Sequence, residues 1–198
     1  MTLATVTARI AEIETALQPP PAAPPPGVAA TGATSFSAVL GQAAIANGFP
    51  LSGGPAARIV AAAAGEVGQS EQPPGSNDSP RIAEYRSAVP GGPVGPWCAY
   101  FVSWAARQAG VPLGDNGEGF ASVDALYAWA QRSGRAVPAT AGPPRPGDLI
   151  VWDEHVGIVE AVLPDGSIRT IEGNSSDRVA RRTYGADGGG ALGYVRLG

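Results

Sequence analysis

Two hydrophobic rhythms, parted by one Pro/Gly-rich stretch, constrain the fold of this chain more than any other feature. Before the stretch Gly142-Pro143-Pro144-Arg145-Pro146-Gly147, apolar residues recur at helical spacing; after it they fall into strand-like runs. Pro55 suits a first helical turn, and Ala56 to Val67 follows with Ile59, Ala63 and Val67 in phase. Ser79-Pro80 opens a second short helix carrying Ile82, Tyr85 and Arg86. A third begins at Pro96-Trp97 and ends near Gly110. Ser122 caps a fourth, Val123 to Arg132, with Gly134 as its stop. The strands expected are Asp148 to Trp152, His155 to Leu163, Ser167 to Asn174, Arg178 to Tyr184 and Gly193 to Leu197. Helices first and antiparallel strands second predict an α+β domain, its helices packed on a meander of about five strands.

Upstream the chain changes character. Residues 3–17 set Val6, Ile10, Ile13 and Leu17 on one helical stripe, so residues 1–18 are expected to form a short amphipathic helix. Such a helix either docks on its own domain or meets a protein partner or an export system. Pro19 to Gly27 reads as a polyproline II spacer within a Pro/Ala/Gly-rich linker over 19–54, which leaves 55–198 as the folded domain. The N-terminus has no basic segment followed by an apolar one, so a conventional signal peptide is not expected. No run of about 18 apolar residues exists to span a membrane.

Composition narrows the chemistry. All 13 basic residues are arginine, which removes Schiff-base lysine chemistry and the lysine-bearing phosphate loop. A net charge of −4 gives no basic field for nucleic acid. One cysteine allows no internal disulfide, and one cysteine with one histidine falls short of a structural zinc site. Neither a metal nor a cofactor is expected.

Those two lone residues are the candidates for catalysis. Most single cysteines on apolar helices are buried structural thiols. Cys98, however, lies just after Pro96-Trp97, in a first turn whose free N–H groups and dipole favour a thiolate and can hold an oxyanion. It shares a stripe with Phe101, Val102, Ala105 and Ala109, which should pack on the sheet. His155 opens an apolar strand and shares a face with Gly157, Val159 and Ala161; Gly157 leaves room for the helix to approach. A third member depends on the hairpin at Pro164-Asp165-Gly166. If Asp165-Gly166 is a two-residue turn, Glu172 and Asn174 project to the His155 face. Asn174 then lies opposite Gly157 and Glu172 opposite Val159, so this register ranks Asn174 nearer the imidazole. A three-residue turn would reverse the faces.

Four blocks taken in order resemble the CHAP domain: Trp97-Cys98-Ala99-Tyr100-Phe101-Val102-Ser103-Trp104, Pro146 to Trp152, His155 to Val159, and Glu172-Gly173-Asn174. CHAP domains belong to the papain-like NlpC/P60 group of cysteine peptidases and amidases that cut bacterial peptidoglycan. The resemblance covers about residues 55–198. It implies Cys98 as nucleophile, His155 as base, Glu172 as the group that orients the imidazole, and Asn174 as a supporting polar group. A bulge could reconcile this order with the register above. Some CHAP lysins carry an acidic calcium loop before the cysteine, but Val89 to Pro96 offers no oxygen-bearing side chain, so calcium is not expected. Asn77 and Asp78, further upstream, are expected to cap the second helix.

The implied reaction is thiol attack on an amide of peptidoglycan, either the N-acetylmuramoyl–L-alanine amide or a stem or crossbridge peptide bond. Tyr85, Trp97, Trp104 and Trp152 are candidate walls of the substrate site, although core packing is the commoner role for such residues. Two other readings fit the same fold: a wall-docking or assembly module without turnover, and an acyl-transfer enzyme acting on another amide. The substrate lies outside the cytoplasm, yet no signal peptide is apparent. Val6 to Ile10 and Ser35 to Leu40 resemble segments of wall-lytic proteins associated with actinobacterial flagellar assembly, and release of a phage lysin fits the same absence.

Overall fold

The computed structural model describes residues 53–197; the expected N-terminal helix and most of the linker lie outside them. Four helices precede nearly all of the sheet: α1 Pro55–Ala64, α2 Pro80–Arg86, α3 Cys98–Gln108 and α4 Val123–Arg132. Six strands follow: β1 Ala136–Pro138, β2 Leu149–Val151, β3 Val156–Val162, β4 Ile168–Glu172, β5 Ala180–Tyr184 and β6 Gly193–Val195. The fold is α+β, with every strand pair antiparallel.

Local chemistry sets the helix ends. Pro55 and Pro80 occupy first turns, where the missing N–H costs no hydrogen bond. Ser79 Oγ accepts from the Ile82 N–H at 3.1 Å and Ser122 Oγ from the Ala125 N–H at 3.2 Å, each tying down a donor the helix cannot satisfy. Asn77 and Asp78 therefore do not cap α2. The Asn77 N–H instead donates to Glu71, and Asp78 pairs with Arg86. Helix α3 has no side-chain cap, so its first-turn N–H groups stay available. It is buried continuously from Cys98 to Ala106, not along one stripe, because α1, α2 and the sheet enclose it.

The strand order is β1-β6-β2-β3-β4-β5. Only β2 to β5 run as the expected meander; β6 returns to insert between β2 and β1. The sixth strand, β1, is three residues long and ends in a proline, which is tolerated because it lies at the sheet edge. The main core fills the space between the helices and one sheet face, with Leu149, Val151, Val156, Ile158 and Ile171 meeting Phe101, Val102 and Ala105. A smaller cluster of Ile150, Val159, Ile168 and Tyr194 covers the other face. Strand β2 is therefore apolar at every position.

The β3–β4 hairpin departs from the two-residue turn. Leu163 N–H donates to the Ser167 carbonyl at 2.8 Å, so the loop has three residues, Pro164, Asp165 and Gly166, with Gly166 at φ +85°. That alone would reverse the faces. A bulge between Val159 and Ala161 then adds one more residue on β3 and restores them. With Ile158 paired to Ile171, Glu172 falls beside Gly157, two residues from the place the simple turn predicts.

Candidate active site

Three segments converge at one end of the sheet. Cys98 is the first residue of α3, only 4% exposed, and His155 immediately precedes β3. Glu172 closes β4 and is 1% exposed. The room left by Gly157 is taken by that carboxylate, not by the helix: a Cβ there would sit 2.7 Å from Glu172 Cγ and 3.6 Å from Ile150 Cγ2. The expectation that Gly157 admits α3 is thus corrected, since α3 packs on the opposite face through Ile158 and Ile171.

His155 Nε2 lies 2.9 Å from Glu172 Oε2. Cys98 lies close enough to the imidazole to bear on its charge. Burial opposes a charge on the ring, but the hydrogen bonds to Cys98 and Glu172, with the charge of each, raise the His155 pKa to about 9. The imidazole is therefore protonated at neutral pH. Burial likewise opposes the charge of Glu172, yet donors from His155, Thr170 and Tyr184 hold its carboxyl below the ordinary value. Thr170 Oγ1 donates to Glu172 Oε1 at 2.5 Å and Tyr184 OH to the same oxygen at 2.9 Å. Both oxygens of the carboxylate are thereby fixed, one on the ring and one on two hydroxyls.

Asn174 stands elsewhere. Its backbone is left-handed at φ +55°, and with the amide oriented to match its partners its oxygen accepts from the Trp97 N–H at 3.3 Å. Its nitrogen donates to Glu71 Oε1 at 3.2 Å. Glu71, 3% exposed, also accepts from Trp97 Nε1 at 2.9 Å and from the Asn77 N–H at 2.8 Å. The side chain nearer the imidazole is that of Glu172, while Asn174 grips the residue just before the cysteine.

The aromatic residues divide. Tyr85 and Trp97 have no exposed surface and pack together with Phe101 in the core, so neither walls a substrate groove. This corrects the expectation for both. Trp104, 9% exposed, packs in the same aromatic group. Trp152 is half-buried; its ring lies 5.7 Å from that of His155 and 5.0 Å from that of Tyr184, and it lines a hollow beside the cysteine. Above Cys98 lies a cavity of about 370 Å³, whose walls include Ala99, Val123 and Asp124 from the helices and Asp153 and Glu154 from the segment before His155.

Sequence reasoning missed Thr170, Tyr184 and Glu71. Thr170 had a visible signal, since residues two apart on a strand share a face with Glu172. Tyr184 and Glu71 had none, because their contacts depend on pairings of distant segments.

Residues 90–174 match the CHAP domain family. Over that stretch the chain is similar to CHAP domains. The match begins ahead of α3 and ends at Asn174, so it takes in Cys98, His155 and Glu172. CHAP domains are usually amidases or peptidases that act on cell-wall peptidoglycan, an extracytoplasmic substrate. No curated protein and no solved structure matches the chain. Among the described residues no helix is long and apolar enough to cross a membrane.

Proposed function

We propose that the chain is a cysteine-dependent peptidoglycan hydrolase, with Cys98 as nucleophile, His155 as the proton carrier and Glu172 as the residue that orients the ring. The observation that carries this reading is the imidazole of His155, held by Glu172 at 2.9 Å and set beside Cys98, which itself lines an open cavity. The catalytic domain then spans 55–198, with the polyproline linker ahead of it.

The chemistry runs as follows. With the proton already on His155, Cys98 attacks the carbonyl carbon of an amide as the thiolate. The first helical bond of α3 runs from the Phe101 N–H to the Trp97 carbonyl, so the N–H groups of Cys98 and Ala99 have no partner within the helix and can receive the oxyanion. The C–N bond breaks as His155 returns its proton to the leaving amine. Water then adds to the thioester, His155 removing its proton, and the carboxylic acid leaves as the thiol re-forms. Glu172 stays ionised throughout and holds Nε2, while Asn174 steadies the Trp97 main chain ahead of the nucleophile. Trp152 is the aromatic side chain best situated to touch substrate.

Replacing Cys98 by Ala should abolish clearing of a peptidoglycan zymogram while leaving the thermal melt within about 2 °C; clearing that persists overturns the reading. Mass spectrometry of digested muropeptides assigns the bond. A free lactyl group identifies an amidase, a shortened stem an endopeptidase, and a new amide with no net hydrolysis an acyl-transfer enzyme.

A further inference from the structure

The cavity over Cys98 has a charge that the hydrolytic steps do not use. It continues into a second hollow of about 220 Å³, which shares Val123, Asp124 and Asp153 with it and adds Tyr127, Trp152 and Leu192. Together they form one groove, acidic beside the nucleophile and apolar beyond. Its carboxylates are Asp124, Asp153 and Glu154, all exposed, and no arginine lines either hollow.

Elsewhere the acids are occupied. Glu66 pairs with Arg81, Asp78 with Arg86, Asp148 with Arg196, and Glu160 with both Arg169 and Arg181. Asp124, Asp153 and Glu154 make no side-chain hydrogen bond or ion pair among the described residues, a condition otherwise met there only by Asp177. The first turn of α4 accounts for a carboxylate at Asp124 through the helix dipole. It does not account for two more, contributed by the segment before His155, converging on the same space. That space also holds the buried Cys98, so the uncompensated charge and the attacking group face one occupant.

We propose that this groove selects peptides carrying a free, protonated amine within a residue or two of the scissile amide, with Asp124, Asp153 and Glu154 receiving it. The inference rests on the reading that Cys98 attacks an amide bound in this groove. Two sources supply such an amine: the side chain of a diamino acid and the N-terminus of an uncapped peptide. An ammonium group answers the local charge and hydrogen-bonds the carboxylates, whereas an acylated amine offers them neither charge nor a second donor. The apolar stretch at Tyr127, Trp152 and Leu192 accommodates the uncharged remainder of the peptide.

The test measures binding apart from turnover. Full-length Cys98→Ala protein is titrated with three fluorescent stem-type peptides: one with only its side-chain amine free, one with only its N-terminal amine free, and one acetylated at both. At least one amine-bearing peptide should bind about tenfold more tightly than the doubly acetylated one in low salt, the scale of two or three partly exposed ion pairs. The preference should vanish in the added triple variant Asp124→Asn, Asp153→Asn, Glu154→Gln, and shrink in 1 M salt. The triple variant, whose three side chains bond nothing in the described fold, loses only the small dipole contribution of Asp124 and should melt within a few degrees of its parent. Equal binding of all three peptides, a preference that survives the triple variant, or no binding at all overturns the proposal. Turnover by the unmutated chain separates the two readings. Amine preference without cleavage sinks the hydrolase and keeps the recognition; equal cleavage of all three peptides does the reverse.

Discussion

The imidazole of His155 sits between a thiol and a carboxylate, and this makes its proton the one whose loss should govern activity at high pH. Its pKa near 9 lies above the ordinary imidazole value because the neighbours favour the charged ring more than burial disfavours it. The proton needed by the leaving amine is therefore present through neutral pH and lost as the pH climbs through about 9, so kcat should fall on that alkaline limb. Replacing Glu172 by Gln removes the carboxylate's support of the charge. The limb should then move to lower pH by roughly one pH unit or more, with kcat reduced at least tenfold. Tyr184→Phe removes one of the two hydroxyls on Oε1 but leaves the carboxylate ionised, so its limb should not move down as that of Glu172→Gln does. A kcat–pH profile of the three proteins checks the order; a limb that stays in place in Glu172→Gln refutes the orienting role. The two candidates that sequence left open for orienting the ring were separable only at this scale. Glu172 reaches the ring, whereas the left-handed backbone at Asn174 turns its amide toward Trp97 and Glu71.

At the scale of elements, the bulge at Glu160 decides which side chain meets the histidine. A one-residue change of register turns a strand's side chains to the other face, and here the three-residue turn and the bulge make two such changes. Their net effect is to carry Glu172 along the sheet to Gly157. Glu160 is anchored from two neighbouring strands, by Arg169 Nε at 2.7 Å and Arg181 Nε at 3.0 Å. Both arginines are partly exposed, so each pair is worth only about 0.2–1 kcal/mol. Glu160→Ala should accordingly lower the melting temperature by only a few degrees. If the bulge holds the register, activity should drop disproportionately, near tenfold, with the alkaline limb moving as in Glu172→Gln. A melt that falls while the pH profile keeps its shape would reduce Glu160 to a structural role. Sequence made the helices legible because Ser79, Ser122, Pro55 and Pro80 are local signals acting within one turn. The turn length was not legible, since Pro164-Asp165-Gly166 suits either a two- or a three-residue loop. Nor was the bulge, because Glu160 looks like any polar strand residue until Arg169 and Arg181 are beside it. Strand β1 escaped for a different reason: Ala136-Val137-Pro138 is too short to show a period.

Across the described domain, the candidate site depends on two separately built parts keeping one spacing. Cys98 belongs to the helical part, at the head of α3, whereas His155 and Glu172 belong to the sheet. Glu71 lies where they meet. Buried in the segment between α1 and α2, its carboxylate takes the Trp97 indole N–H beside Cys98, the Asn174 amide just past Glu172, and the Asn77 N–H of its own loop. Gly173 allows that closeness, since a Cβ there would sit 2.6 Å from Phe101 Cβ and 2.9 Å from the Trp97 ring. Removing the carboxylate strands several buried donors at once, and an unmade buried hydrogen bond costs more than a made one contributes. Glu71→Ala should lose roughly 3 kcal/mol of stability. For a domain of this size that lowers the melting temperature by about 10 °C. The more telling outcome is functional. If Glu71 sets the distance between thiol and imidazole, the variant should have lost most of its kcat at temperatures where circular dichroism still reports a folded domain, with KM little changed. Glu71→Gln keeps the shape and one carbonyl acceptor, so it should recover part of both quantities. Loss of activity that merely follows unfolding in the two variants would leave Glu71 a core residue and no spacer.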